Sequence, residues 1–173
     1  MKTLAVSFVL VLAVGGVLTA SAQSSPAPAT RAQRPQPIPT ATKTEIPAAA
    51  RPAVAVVERF GQALAAGDLK IVESLLDADL LVLEAGGAER SRQEYLGHHA
   101  ISDAQFLKGA HSQLRQRRAR VAGDFAWVGS ESELHTKADG KPLTLLSTET
   151  MVLKKNAAGW QIVHIHWSSR PKR

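Results

Sequence analysis

The sequence predicts an α+β domain over residues 53–173, with N-terminal helices packed in a curved antiparallel sheet. Two observations predict it. Apolar residues recur at helical spacing just after residue 53, whereas from His111 onward they lie in strand-length runs separated by Gly-containing turns. Helices first and hairpin-linked strands afterwards is the order of α+β domains, not of alternating α/β ones.

The elements follow in chain order. Pro52 suits a first helical turn, and Val54, Val57, Phe60 and Leu64 share one helix face that Gly67 can close. Asp68 can cap a second short helix with Leu69, Val72, Leu75 and Leu76 apolar. Leu80 to Glu84 reads as a buried strand turned by Gly86-Gly87. Ser91-x-x-Glu94 is a capping-box signature for a helix running through Tyr95 to His98-His99, and Ser102-x-x-Gln105 starts another. Strands are expected at His111–Val121, Phe125–Thr136, Leu143–Lys154 and Trp160–Ser168, with Asp139-Gly140 a strong hairpin signal.

The N-terminal third has a different composition. Met1-Lys2, an apolar run from Leu4 to Val17 and Ala20-Ser21-Ala22 together read as a cleavable signal peptide over residues 1–22, with a mature start at Gln23. The run is shorter than the roughly 18–20 residues of a membrane span, so no stable membrane anchor is expected. The expected location is outside the cytoplasm, periplasmic or secreted. Residues 23–52 are rich in Pro, Ala, Ser, Thr and Gln, and read as a disordered linker. The chain has no cysteine, which removes disulfides, lipid attachment and thiolate chemistry. The formal charge of +6 comes largely from the first 52 residues, and the remainder is nearly balanced, so no nucleic-acid partner is expected.

Three segments carry a family resemblance: Phe60 to Asp68 in the first helix, Ser147 to Leu153, and above all Gly159-Trp-Gln-Ile-Val-His-Ile-His-Trp-Ser168. With this element order, the domain resembles the nuclear transport factor 2-like superfamily. That superfamily includes SnoaL-like and ketosteroid-isomerase-like proteins and the association domain of calcium/calmodulin-dependent protein kinase II. The resemblance implies a cone-shaped α+β barrel with a pocket between sheet and helices, and a homodimer through the sheet. In the kinase association domain an arginine follows the His-x-His pair. Here Trp167 holds that position, so carboxylate recognition by that arrangement does not carry over.

Alternation sorts the candidate site residues. Val163, Ile165 and Trp167 share one face of the last strand, leaving His164 and His166 with Ile162 on the other, where the family implies dimer contact. Trp127, Glu131, Glu133 and His135 share a face that the family alignment turns to the pocket, with Glu149 joining from the next strand. Alternation alone leaves open whether that face is solvated instead. Tyr95 and His99 lie one turn apart and can line the same space. The run Arg115, Arg117, Arg118 and Arg120 reads as a solvated edge strand. Serine-nucleophile motifs, phosphate loops and His-Glu-x-x-His are absent, and no metal or cofactor is expected. The favoured function is small-molecule binding in the pocket without assigned catalysis. A small enzyme using pocket carboxylates for proton transfer or hydrolysis, and a tethered dimerisation module, stay open beside it.

Overall fold

The structure is a computed structural model that describes residues 46–173. The expected signal peptide and linker residues 23–45 lie outside the described residues. The tail of the expected linker lies inside them and is part of the domain. A 3-10 turn at Ala48–Ala50 leads into α1 (Arg51–Ala66), and Ala50 is fully buried while Ile46 packs on the core.

Helix α1 presents Ala53, Val54, Val57, Phe60, Ala63 and Leu64 to the core and ends at Gly67, whose φ of 74° suits a residue without a Cβ. Asp68 caps α2 (Leu69–Leu75) by accepting from the Ile71 amide, as expected. Strand β1 (Leu76–Glu84) then turns through Ala85-Gly86 into the short β2 (Gly87–Glu89). Ser91 caps α3 (Arg92–Gly97), and the Glu94 carboxylate accepts from the Arg90 amide. Helix α4 (His99–Lys108) begins three residues earlier than the Ser102 signature suggests. Strands β3 (His111–Ala122), β4 (Phe125–Ala138), β5 (Lys141–Asn156) and β6 (Gly159–Pro171) complete the chain. The hairpin at Asp139-Gly140 has φ of 50° and 76°, the geometry its residue types favour.

The six strands are ordered β2-β1-β6-β5-β4-β3. The last four form the expected antiparallel meander, but β1 lies parallel to β6, so the sheet is mixed. Its two edges do not pair, so the sheet is open and not a closed barrel. Registers define two faces. Ala119, Ala126, Val128, Met151, Leu153, Ile162, Ile165, Leu80 and Val82 form the core face under the helices. An irregularity between Val152 and Leu153 pairs His164 with Val152 but Ile162 with Leu153, which corrects the simple alternation on β6. Ile162, Ile165 and Trp167 face inward, and Val163 is the extra residue. Strand β1 is buried on one face only, since Leu81 and Leu83 are 37% and 36% exposed.

Candidate functional site

Beyond the apolar core, the inner face of the sheet turns polar. The next row across the strands is Arg117, Ser130, Glu149, Trp167 and Glu84. The Trp167 indole N–H donates to Glu149 Oε2 at 2.9 Å, and the Ser130 hydroxyl donates to Glu149 Oε1 at 3.3 Å. Arg117 donates to Ser130 Oγ at 3.1 Å and to Glu58 Oε1 of α1 at 2.9 Å. A neutral indole and a hydroxyl thus fix the Glu149 carboxylate, while the nearby guanidinium is engaged by Glu58. Phe60 stacks on Trp167 with ring centroids 6.3 Å apart, and Tyr95 leans on the same ring at 6.3 Å. These distances suit aromatic pairs and build an apolar wall beside the polar row.

On the helix side, Tyr95 carries an acidic partner. The buried Tyr95 hydroxyl donates to Asp103 Oδ2 at 3.1 Å. Burial, helped by the nearby Glu84 charge, pushes Asp103 up to about 7 despite the Tyr95 hydrogen bond. Burial also raises Glu84, partly opposed by His99. Tyr95 is held well above the usual phenol range, first by burial and then by Asp103, Glu84 and Glu149. His99 Nδ1 is hydrogen-bonded to Glu89, whose residue surface is 4% exposed. The contacts thus link Glu149, Trp167, Tyr95 and the raised acid Asp103, while His99 is held separately by Glu89.

Of the residues the sequence singles out, Tyr95, Glu149 and Trp167 converge here, and His99, 53% exposed, contacts Glu89 instead. Trp127, Glu131 and Glu133 do not converge with them. Thr148, not Glu149, pairs with Glu131, and Ser130 pairs with Glu149, so the expected carboxylate cluster is divided between opposite faces. Trp127 is 42% exposed on the outer face. Glu133 lies at the far end of that face, where Lys172 Nζ donates to both its oxygens at 2.9 and 3.0 Å. The Lys172 hydrogen bond first of all, with Arg115 and His135 nearby, holds the Glu133 carboxyl below its ordinary value. Glu131 and Glu133, with Arg115, Thr148, Ser168 and Arg170, line a separate surface cleft of about 430 Å³. Among the described residues, no three His, Cys, Asp or Glu side chains are arranged to hold a metal ion.

Sequence reasoning missed Asp103, Glu84, Glu89 and Arg117. Placing the helix start at Ser102 separated His99 from Asp103, whereas α4 begins at His99 and sets them four residues apart on one face. Arg117 faces inward because its row pairs it with Ser130, so the arginine run is not wholly solvated.

A SnoaL-like domain profile matches residues 54–171. The chain belongs to the SnoaL-like family. Among solved structures, this SnoaL-like domain is similar to a candidate ketosteroid isomerase from Shewanella frigidimarina NCIMB 400, with 37% identity and a TM-score of 0.63 over 66% of this chain and 92% of that one. It is also similar to a candidate calcium/calmodulin-dependent protein kinase II association domain from Xanthomonas campestris. Identity there is 23% and the TM-score 0.60, over 76% of this chain and 96% of that one. A nuclear transport factor 2-like protein with a cystatin-like fold from Novosphingobium aromaticivorans is 17% identical with a TM-score of 0.58, over 68% and 79% of the two chains. The last two likenesses concern the fold alone. No curated protein sequence matches the chain.

Proposed function

We propose that this SnoaL-like domain is exported and binds a small organic molecule in the chamber between sheet and helices. One observation carries the reading: the Phe60–Trp167–Tyr95 wall adjoins two carboxyl groups, Glu149 on the Trp167 indole and Asp103 on the Tyr95 hydroxyl. An aromatic ligand with an ammonium or neutral hydrogen-bond donor suits these acceptors. A carboxylate is repelled by a charged one. An indole face contributes a further 0.5–2 kcal/mol or so to a cation. Titrating tryptophan fluorescence with phenylethylamine and with phenylpropionate tests this reading. The amine should bind more tightly, and both Trp167→Ala and Glu149→Gln should weaken it. Tighter binding of the carboxylate refutes the reading.

The outer face supports homodimerisation. Leu81, His164, Val152 and Trp127 form one row across four strands, with Leu83 and His166 in the next. Exposed Leu81, Leu83 and Trp127 make this row an apolar patch suited to a second copy. Sedimentation of Leu83→Lys should show loss of a dimer that the unsubstituted protein forms at micromolar concentration. A monomeric unsubstituted protein counts against it.

A second reading is a small enzyme that moves protons. It is favoured by a buried acid titrating near neutrality and by the 37% identity to a candidate ketosteroid isomerase.

A further inference from the structure

We propose that the cleft on the outer face of the sheet binds a short acidic peptide, with the terminal carboxylate on Arg170 and the terminal ammonium on Glu131. This site is distinct from the chamber, and the proposal stands independently of the reading given for the chamber.

The strand registers build the cleft. Glu131, Thr148 and Ser168 form one row across β4, β5 and β6, and Glu133, Leu146 and Arg170 form the next. Arg115 is the extra residue at the irregularity between Leu114 and Gln116 on β3, and it lines the same cleft. The enclosed space of about 430 Å³ is in the range of small-ligand sites. The apolar patch occupies another part of this face. Trp127 precedes Glu131 by four residues, about 13 Å along β4 at ordinary strand rise.

Several charges in the cleft have no strong partner of their own. Glu133 is engaged by Lys172, whose Nζ donates to both its oxygens. Arg115 Nε is 3.9 Å from Glu133 Oε1, beyond hydrogen-bond reach. Arg170 donates to the neighbouring Pro171 carbonyl at 3.5 Å, the outer limit of such a contact. The Glu131 carboxylate has no hydrogen bond or ion pair among the described residues. The Thr148 hydroxyl donates to the Ser168 carbonyl at 3.4 Å, so its oxygen remains open as an acceptor.

Two available guanidiniums and one available carboxylate select a ligand with two acidic groups and one cation. A dicarboxylate or phosphate suits the guanidiniums but sets an anion against Glu131. A simple amine suits Glu131 but adds to the positive charge of Arg115, Arg170 and Lys172. A peptide zwitterion with an acidic side chain satisfies all three. A guanidinium takes a carboxylate through two parallel hydrogen bonds. Glu131 and Arg170 stand two strands and two residues apart, about 12 Å between backbones at ordinary sheet spacing. Their side chains span part of that distance, leaving a gap suited to a dipeptide. Thr148 lies between them to accept from the peptide N–H, and Arg115 takes the acidic side chain.

Isothermal titration of the full chain with alanyl-glutamate tests the proposal. The dipeptide should bind saturably at one site. Acetylating its ammonium or amidating its terminal carboxylate should each weaken binding about tenfold, the worth of one charged hydrogen bond. Glu131→Gln should weaken the free dipeptide by the same factor and make acetylation indifferent. Arg170→Gln should do so and make amidation indifferent. Arg115→Gln should abolish the preference for alanyl-glutamate over alanyl-glutamine. Saturating phenylethylamine should not displace the dipeptide. Absence of saturable binding, or equal binding of the acetylated and amidated forms by the unsubstituted protein, overturns the proposal without touching the chamber reading. Displacement by phenylethylamine also overturns it, since the dipeptide then occupies the chamber.

Discussion

Asp103→Asn should make the domain more stable at pH 8 and leave it nearly unchanged at pH 4. The Asp103 carboxyl rises from an ordinary 3.8 to about 7 in the folded protein, chiefly through burial. The folded state therefore holds a proton that the unfolded chain releases at lower pH. This contribution to stability is fully present below about 4 and is lost as pH rises through about 7. Three pKa units at 1.36 kcal/mol each correspond to about 4 kcal/mol. The side chain is partly exposed, and solvent screening brings the expected loss nearer 2 kcal/mol. Asparagine has almost the same shape, accepts from the Tyr95 hydroxyl and never ionises, so it avoids that loss. Urea denaturation of both proteins at the two pH values reads the difference from the midpoints at constant m. An asparagine variant no more stable than the unsubstituted protein at pH 8 would refute the placement of a raised acid beside Tyr95.

Three further outcomes are expected. Ala85 has a φ of 49°, so Ala85→Asn should stabilise the turn between β1 and β2 by roughly 0.5–1 kcal/mol, read as a shift in thermal midpoint. Deleting residues 23–45 should leave Tm unchanged, whereas extending the deletion through the buried Ala50 should lower it. Intact mass of the exported protein should show loss of residues 1–22, and a full-length product would argue against cleavage after Ala22.

The helices, the meander and several caps were legible because each rests on short-range chemistry. Asp68, Ser91 and Asp139-Gly140 act on backbone within a few residues of themselves. The facing of β4 was not legible, because apolar and carboxylate residues lie on both its faces. Only the pairings of Ser130 with Glu149 and of Glu131 with Thr148 decide it. The parallel contact of β1 with β6 was equally hidden, since it joins residues about eighty positions apart and leaves no local mark. Asp103 was missed for a smaller reason. A two-helix segment offers two plausible starts, and moving the second from Ser102 to His99 alters which side chains share a face.

That parallel pairing also governs how the chain reaches its final form. Strand β1 finds its main partner only in β6, which begins at Gly159, so the interior strand order awaits nearly the whole polypeptide. Helices α1 and α2 can form as they emerge during synthesis, but their apolar faces have no complete sheet to cover until Ile162 and Ile165 arrive. Topology of this kind slows closure and prolongs exposure of sticky surface in newborn chains. Truncation within β6 should therefore yield aggregates instead of a shortened domain. A chain that completes its core last stays pliable longest.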